Sequence, residues 1–262
     1  QGVFHHRDSI GSEQIIHPGA LNWMVAGKGV THSERTSRQG RSGPHSLFGI
    51  QTWIALPEDR EDMEPVFEHH GKDALPEIES EGIKARLILG TAYGQTAPAT
   101  MFSETFYLDV VLEPGARMPL PDDHEDRGIY VTRGSVLIAG QEFEAGRMMV
   151  FRPGDKITVT AGVQGARIMA LGGATLNGPR YIWWNFVASS REKIEAAKQE
   201  WRQGRWGKGL FDLPVDDRYE FVPLPDYPAA RRVEIPAFCK PAMLPCYADK
   251  AEMTCFPIAE CP

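Results

Sequence analysis

The chain has 262 residues, 42% of them hydrophobic, enough to bury a sizeable core and to form two modest domains. Its formal net charge of −7, with Lys and Arg mixed among Asp and Glu, leaves no basic stripe for neutralising phosphates and argues against direct nucleic-acid binding. No apolar run reaches the length that spans a bilayer, and residues 1–11 have neither the basic head nor the apolar core of a secretory signal. No membrane association is therefore expected, and the expected location is cytoplasmic.

The 26 glycines and 20 prolines are scattered between short apolar runs, which predicts many strands and turns, an all-β chain with one helical exception. Near the start, His5 and His6 fall on opposite faces of any strand they share, so at most one can look inward. His6 is expected to bond a neighbouring strand or a ligand's partner rather than an ion. Residues 17–34 (HPGALNWMVAGKGVTHSE) end in His32 and Glu34, two positions apart. On a strand that spacing puts both on one face, and an imidazole and a carboxylate aimed together are half of a non-haem iron or manganese site. Both are expected to point into a barrel interior, close enough to share an ion.

Trp23, Met24 and Trp53 are expected to pack a core, with lining of a pocket for a flat aromatic as the alternative. His45 follows a Ser-Gly-Pro turn and is expected to be exposed. His69 and His70 lie in a polar segment between Pro65 and Pro76 that reads as a surface or lid loop. Residues 47–56, 83–89 and 106–112 read as strands, and the small residues around Pro98 mark a crossing between domains. Further on, residues 110–115 (VVLEPG), 128–138 (GIYVTRGSVLI) and 147–154 (RMMVFRPG) repeat a rhythm of strand and turn.

Residues 189–192 (SSRE) form a candidate capping box, in which a serine accepts from the third helical amide and Glu192 reaches back. Ile194, Ala197 and Trp201 then recur at helical spacing and Gly204 can stop the helix, predicting one amphipathic, structural helix near 190–203. All four cysteines, Cys239, Cys246, Cys255 and Cys261, lie in a proline-rich stretch with no clear period, without paired zinc-site spacing. Residues 227–262 are accordingly expected to be an extended tail.

Taken in order, residues 6–11 (HRDSIG), 17–36, 47–57 (LFGIQTWIALP), 64–70 (EPVFEHH), 106–115 (FYLDVVLEPG) and 184–190 (WNFVASS) resemble the pirin family over residues 1–226. The resemblance implies two cupin, jelly-roll-like β-barrels in tandem, placed here at 1–98 and 99–226. It also implies a divalent metal in the N-terminal barrel, iron(II) first, with Mn, Ni, Cu or Zn as alternatives. In that family the ion is held by an upstream His-x-His segment together with the histidine and glutamate matched by His32 and Glu34. The chain opens at Gln1, beyond the place of that upstream pair, so natural residues before Gln1 are expected; the chain from Gln1 alone is expected to bind metal weakly or not at all. In the second barrel the cupin ligand places hold Pro121, Asp123 and Ile157, with His124 nearby, and no metal is expected there.

The activity implied is that of pirin-like quercetin 2,3-dioxygenases, which open flavonols with O2. Glu34 would be both ligand and the catalytic group exchanging a proton with substrate. The alternatives are a regulatory protein whose metal redox state controls binding to a transcription-related or metabolic partner, and a metal-free remnant.

Overall fold

Short apolar runs broken by glycine and proline fold into strands throughout the computed structural model, which describes residues 2–36, 48–215 and 221–226, together with the backbone of 231–233, 244–249 and 252–255. By packing, residues 1–72 and 176–235 form one unit, and residues 73–175 and 236–262 form the other. The breaks expected at 98 and 226 fall elsewhere than these.

In the first unit, β1 (Phe4–Asp8) pairs antiparallel with β2 (Glu13–Ile16) on one side; β3 (Leu21–Val25) follows, and β4 (His32–Thr36) takes the other side of β1. Asp8 closes the β1–β2 turn, its Oδ1 accepting from the main-chain N–H of Ile10 at 3.1 Å and of Ser12 at 2.8 Å. The polar segment expected to be a loop is instead β5 (Val66–His70), paired residue for residue with β3 from Leu21–His70 to Val25–Val66. Its strand character comes from this distant partner, which local composition does not announce.

Residues 48–56, expected as a strand, take no regular structure, and residue 47 with His45 lies outside the described residues. Here Phe48, Ile50 and Trp53 are exposed, so Trp53 does not join a core. The segment is held by a side chain rather than by a ladder: the buried Arg180 guanidinium donates to the Leu56 carbonyl from Nε at 3.2 Å and from Nη2 at 2.9 Å.

The second unit contains β6 (Glu77–Ser80), β7 (Ile83–Ala92), β8 (Gln95–Thr96), β9 (Thr105–Leu112), β10 (Arg117–Pro119), β11 (Asp126–Ile138), β12 (Gln141–Glu144), β13 (Arg147–Phe151) and β14 (Thr158–Gly173). Its main sheet runs β13-β11-β14-β9-β7-β6. Because β7 sits between β6 and β9, residues 83–92 belong to this core. Alternation points Phe106, Leu108, Val110 and Leu112 inward from β9, against Leu87, Ile129, Val131, Ile168 and Ala170. Each large apolar side chain so buried stabilises the unit by about 1.5–3 kcal/mol. At Gly90 the backbone has φ +69°, and a Cβ there would overlap the Thr105 carbonyl, so the close approach of β7 to the start of β9 requires glycine.

The chain then returns to the first unit with β15 (Arg180–Trp183), β16 (Phe186–Ala188) and α1 (Arg191–Gln203). Ile194 and Ala197 bury the apolar stripe of α1 in a cluster with Trp183, Phe186 and Phe211. Gly204, with φ 58°, ends the helix by donating to the Trp201 carbonyl. Ser190 is the N-cap, accepting from Lys193 N at 3.3 Å. The reciprocal box with Glu192 does not form, since the third helical residue after this cap is Lys193. Ser189 is drawn away by Glu61, to which it donates from its N–H at 2.9 Å and from Oγ at 2.6 Å.

Of the tail, β17 (Arg231–Val233) pairs with β15, and β18 (Leu244–Asp249) pairs with β13 and with β19 (Glu252–Cys255). The backbone register sets Cys246 opposite Cys255. Cys239 and Cys261 lie outside the described residues, as does most of the expected extended path.

Glu61 ties the 57–63 turn to the start of α1. Burial alone would raise its pKa, but Lys193 and Ser189 outweigh that and hold it below the ordinary glutamate value. A depressed folded pKa contributes stability that is present above the unfolded pKa and lost as pH falls through the folded one. Glu61→Gln is therefore expected to cost about 1–2 kcal/mol at pH 7. Urea titrations at pH 7 and at pH 3 should show the gap between the two proteins narrowing at the lower pH; an equal gap at both would refute the assignment.

Candidate functional site

On β1 and β4 the antiparallel register sets His6 opposite Glu34 and Asp8 opposite His32, so alternation puts all four side chains on one face. His6 is the centre of the group and is buried, 2% exposed. Its Nε2 lies 3.1 Å from Asp8 Oδ2, and its Nδ1 lies 3.8 Å from Glu34 Oε1, an ion-pair distance too long for a hydrogen bond. The His32 ring stacks on His6 with centroids 5.6 Å apart, and Phe67 of β5 lies nearly parallel to His6 at 4.5 Å. His5 faces the other way, where its Nε2 meets Glu13 at 2.7 Å.

His32 and Glu34 thus share a face, but both are exposed rather than enclosed, contrary to the interior placement expected. Phe67 covers His6 and leaves the neighbouring His32 ring and Glu34 carboxylate open. His32 is solvated on one side; desolvation on the other dominates and lowers its pKa, partly offset by Glu34. Glu34 is held below the ordinary glutamate value, by His6 first and by His32 after it, against the effect of burial. Burial would lower His6, but Glu34 and Asp8 outweigh it, and its pKa is raised.

A neutral imidazole beside an ionised carboxylate suits a divalent ion of borderline character. The buried Nδ1 of His6, without a hydrogen-bond partner among the described residues, adds an unsatisfied polar atom turned toward Glu34. No group of three or more His, Cys, Asp or Glu among the described residues stands close enough to hold an ion unaided. The pair therefore fits in kind and supplies two donors rather than a full shell.

Asp8 and Phe67 belong to the site and were not singled out from sequence. The alternation His6-x-Asp8 on one strand was the available signal for Asp8, whereas Phe67 requires knowledge of the facing strand. On the same face of β5 as Phe67 stands His69, paired with Asn22 of β3; Met24 shares this face. His70, Glu68 and Trp23 lie on the opposite face, with His70 Nε2 2.9 Å from Glu68 Oε2. Neither histidine is in a surface loop.

In the second unit, His124 is buried with its ring tilted against Phe106 at 4.8 Å. Its Nε2 is 3.3 Å from the Thr91 carbonyl and its Nδ1 is 3.2 Å from Glu104 Oε1. Pro121 offers its carbonyl to the buried Arg127 at 3.2 Å, Asp123 is exposed, and Ile157 packs against the apolar core. No helix among the described residues is long and apolar enough to cross a membrane.

Comparison with known proteins places these features in context. Residues 1–54 match the pirin family, and residues 107–207 match the pirin C-terminal cupin domain. A pirin-like protein of Caulobacter vibrioides is 42% identical over 227 residues, covering 86% of this chain and 76% of that protein. A crystal structure of quercetin 2,3-dioxygenase from Acinetobacter baumannii superposes with a TM-score of 0.71 at 29% identity, covering 88% of this chain and 75% of that one. A second structure of that description from the same organism gives a TM-score of 0.69 at 22% identity, with 79% and 73% covered, a likeness of fold.

Proposed function

The chain belongs to the pirin family, with two cupin domains, and on that premise we propose that it is a metal-dependent dioxygenase opening flavonols such as quercetin with O2. The observation that carries the reading is the shared face of His32 and Glu34 beside His6, in a fold like that of a quercetin 2,3-dioxygenase. His32 and Glu34 would hold a divalent ion, iron(II) first. Bound there, such an ion supplies Lewis acidity toward the flavonol 3-hydroxyl and the adjacent carbonyl, lowering the pKa of the hydroxyl.

The residues of the chain supply the rest. The Glu34 carboxylate is exposed and ionised, so it can accept the 3-hydroxyl proton on a free oxygen. His6, braced by Asp8, sits within 3.8 Å of that carboxylate and stabilises its charge. A flat substrate would approach from the exposed side of the His32–Glu34 row.

The test is oxygen uptake with quercetin by protein loaded with iron(II), then stripped with a chelator and reloaded. Uptake that accompanies loss of the flavonol absorbance, vanishes on stripping and returns on reloading is expected. Metal-loaded protein that leaves both quercetin and oxygen untouched would sink the reading and favour redox-controlled partner binding.

A further inference from the structure

The cysteines lie far along the chain from the candidate metal face, and two of them are placed by the backbone alone. The register of β18 and β19 runs from Asp249 opposite Glu252 to Cys246 opposite Cys255, with two residues of sequence between the strands. A connection of that length makes Asp249 and Glu252 a pair that exchanges main-chain hydrogen bonds. Bonded and non-bonded pairs then alternate, so Cys246 and Cys255, three steps further on, form a non-bonded pair on one face of the ladder. At such positions the Cα atoms stand about 4.5 Å apart, inside the span of about 4.4–6.8 Å that a disulfide bridges.

Chain length by itself favours other partners. Cys255 and Cys261 are six positions apart and Cys239 and Cys246 seven, against nine for Cys246 and Cys255. In a structureless chain the chance of closure falls as about the −3/2 power of separation, which leaves the Cys246–Cys255 bond about a fifth of all pairs. Only the register puts it first.

We propose that Cys246 and Cys255 are a redox pair that closes a cross-strand disulfide and clasps the β18–β19 hairpin at the edge of the second unit's sheet. The oxidant is a small disulfide of the glutathione class. One cysteine thiolate attacks a sulfur of that disulfide, releasing one small thiol and leaving a mixed disulfide on the protein. The thiolate of the other cysteine attacks the cysteine sulfur of the mixed disulfide and expels the second small thiol. Two protein thiols become one disulfide and one small disulfide becomes two thiols, so electrons and protons balance. Excess small thiol drives the exchange backward and reopens the clasp. β18 meets β13 through two residue pairs, Arg147 with Pro245 and Met148 with Leu244. A two-stranded hairpin is marginal alone, so a bond between its strands strengthens the cover over the β13 edge.

The test is disulfide mapping on the full chain. Reduced protein is equilibrated with oxidised and reduced glutathione, blocked with an alkylating agent and mapped by tandem mass spectrometry, in native buffer and in concentrated guanidinium. In native buffer Cys246–Cys255 is expected to be the predominant intrachain pair, at least about three times its share in guanidinium. Thr254→Pro removes a main-chain donor from the bonded Tyr247–Thr254 pair and should return the native pattern to the denatured one. Thr254→Val keeps the ladder and should keep the preference. Urea unfolding of each variant verifies that the second-unit core is intact. Predominance of Cys255–Cys261 or Cys239–Cys246 in native buffer, the same pattern with and without guanidinium, or no intrachain disulfide overturns the proposal. A preference that persists in Thr254→Pro overturns it as well, since it would owe nothing to the register.

Discussion

Glu34→Gln is expected to cut quercetin-dependent oxygen uptake by at least about 100-fold, and His32→Ala by a similar factor. Loss of residues that merely orient metal ligands already costs about 10- to 100-fold, so removal of a donor itself sets the lower bound at the upper end of that range. The amide of Gln is nearly isosteric with the carboxylate but is neutral and a weaker donor to a divalent ion. Glu34 is exposed, so its replacement should leave folding within about 0.5 kcal/mol. Metal content after dialysis against limiting iron(II), measured beside uptake and urea unfolding, separates ligand loss from structural damage. Full metal content and full uptake in both variants would show that other residues hold the ion.

Asp8→Ala is expected to be among the most destabilising single changes in the first unit. Asp8 is 1% exposed and satisfies three donors: the N–H groups of Ile10 and Ser12, and the His6 ring. Its removal strands a buried imidazole and two turn amides, a loss of about 3–5 kcal/mol. Asp8→Asn, which keeps one carbonyl oxygen, should recover part of it. The pH dependence carries a sign as well. Burial depresses His6, Glu34 and Asp8 more than compensate, and its folded pKa is raised. A raised histidine contributes stability that is complete below its unfolded pKa and disappears as pH rises through the folded value. Without Asp8 that decline should be shallower, measured by urea midpoints from pH 5 to pH 8. A loss below about 1 kcal/mol in Asp8→Ala would mean that water replaces the carboxylate, contrary to its burial.

The parts of the molecule that follow from local rules were visible in the residues. Strand alternation placed His32 and Glu34 on one face, and the apolar runs at 83–89 and 106–112 correspond to β7 and β9. Helical spacing of Ile194 and Ala197 marked the buried side of α1. What escaped depends on partners far away in the chain. Ser189 had the chemistry of a cap, but Glu61 claimed it and the cap moved to Ser190. Residues 66–70 became a strand because β3 pairs with them, which turned His69 inward beside Asn22. Residues 48–56 had strand-like composition, yet their fixed point is the Arg180 guanidinium, 124 positions away from Leu56. No window of ten or fifteen residues contains these facts.

The division of the first unit into 1–72 and 176–235 has a consequence for the order of events during synthesis. The strands bearing His6, His32 and Glu34 leave the ribosome early, but Trp183, Phe186, Ile194 and Phe211, which build that unit's apolar cluster, follow more than a hundred residues later. The core of the second unit lies in one continuous stretch and can fold while the first still waits for its closing segment. Contacts of such high sequence separation form slowly, so the half carrying the candidate metal face is expected to fold last. Truncated chains ending before residue 176 should hold a protease-resistant second-unit core while the β1–β5 region is cut first. In the cell, maturation of the site would then be timed by completion of the chain rather than by the emergence of its own ligands.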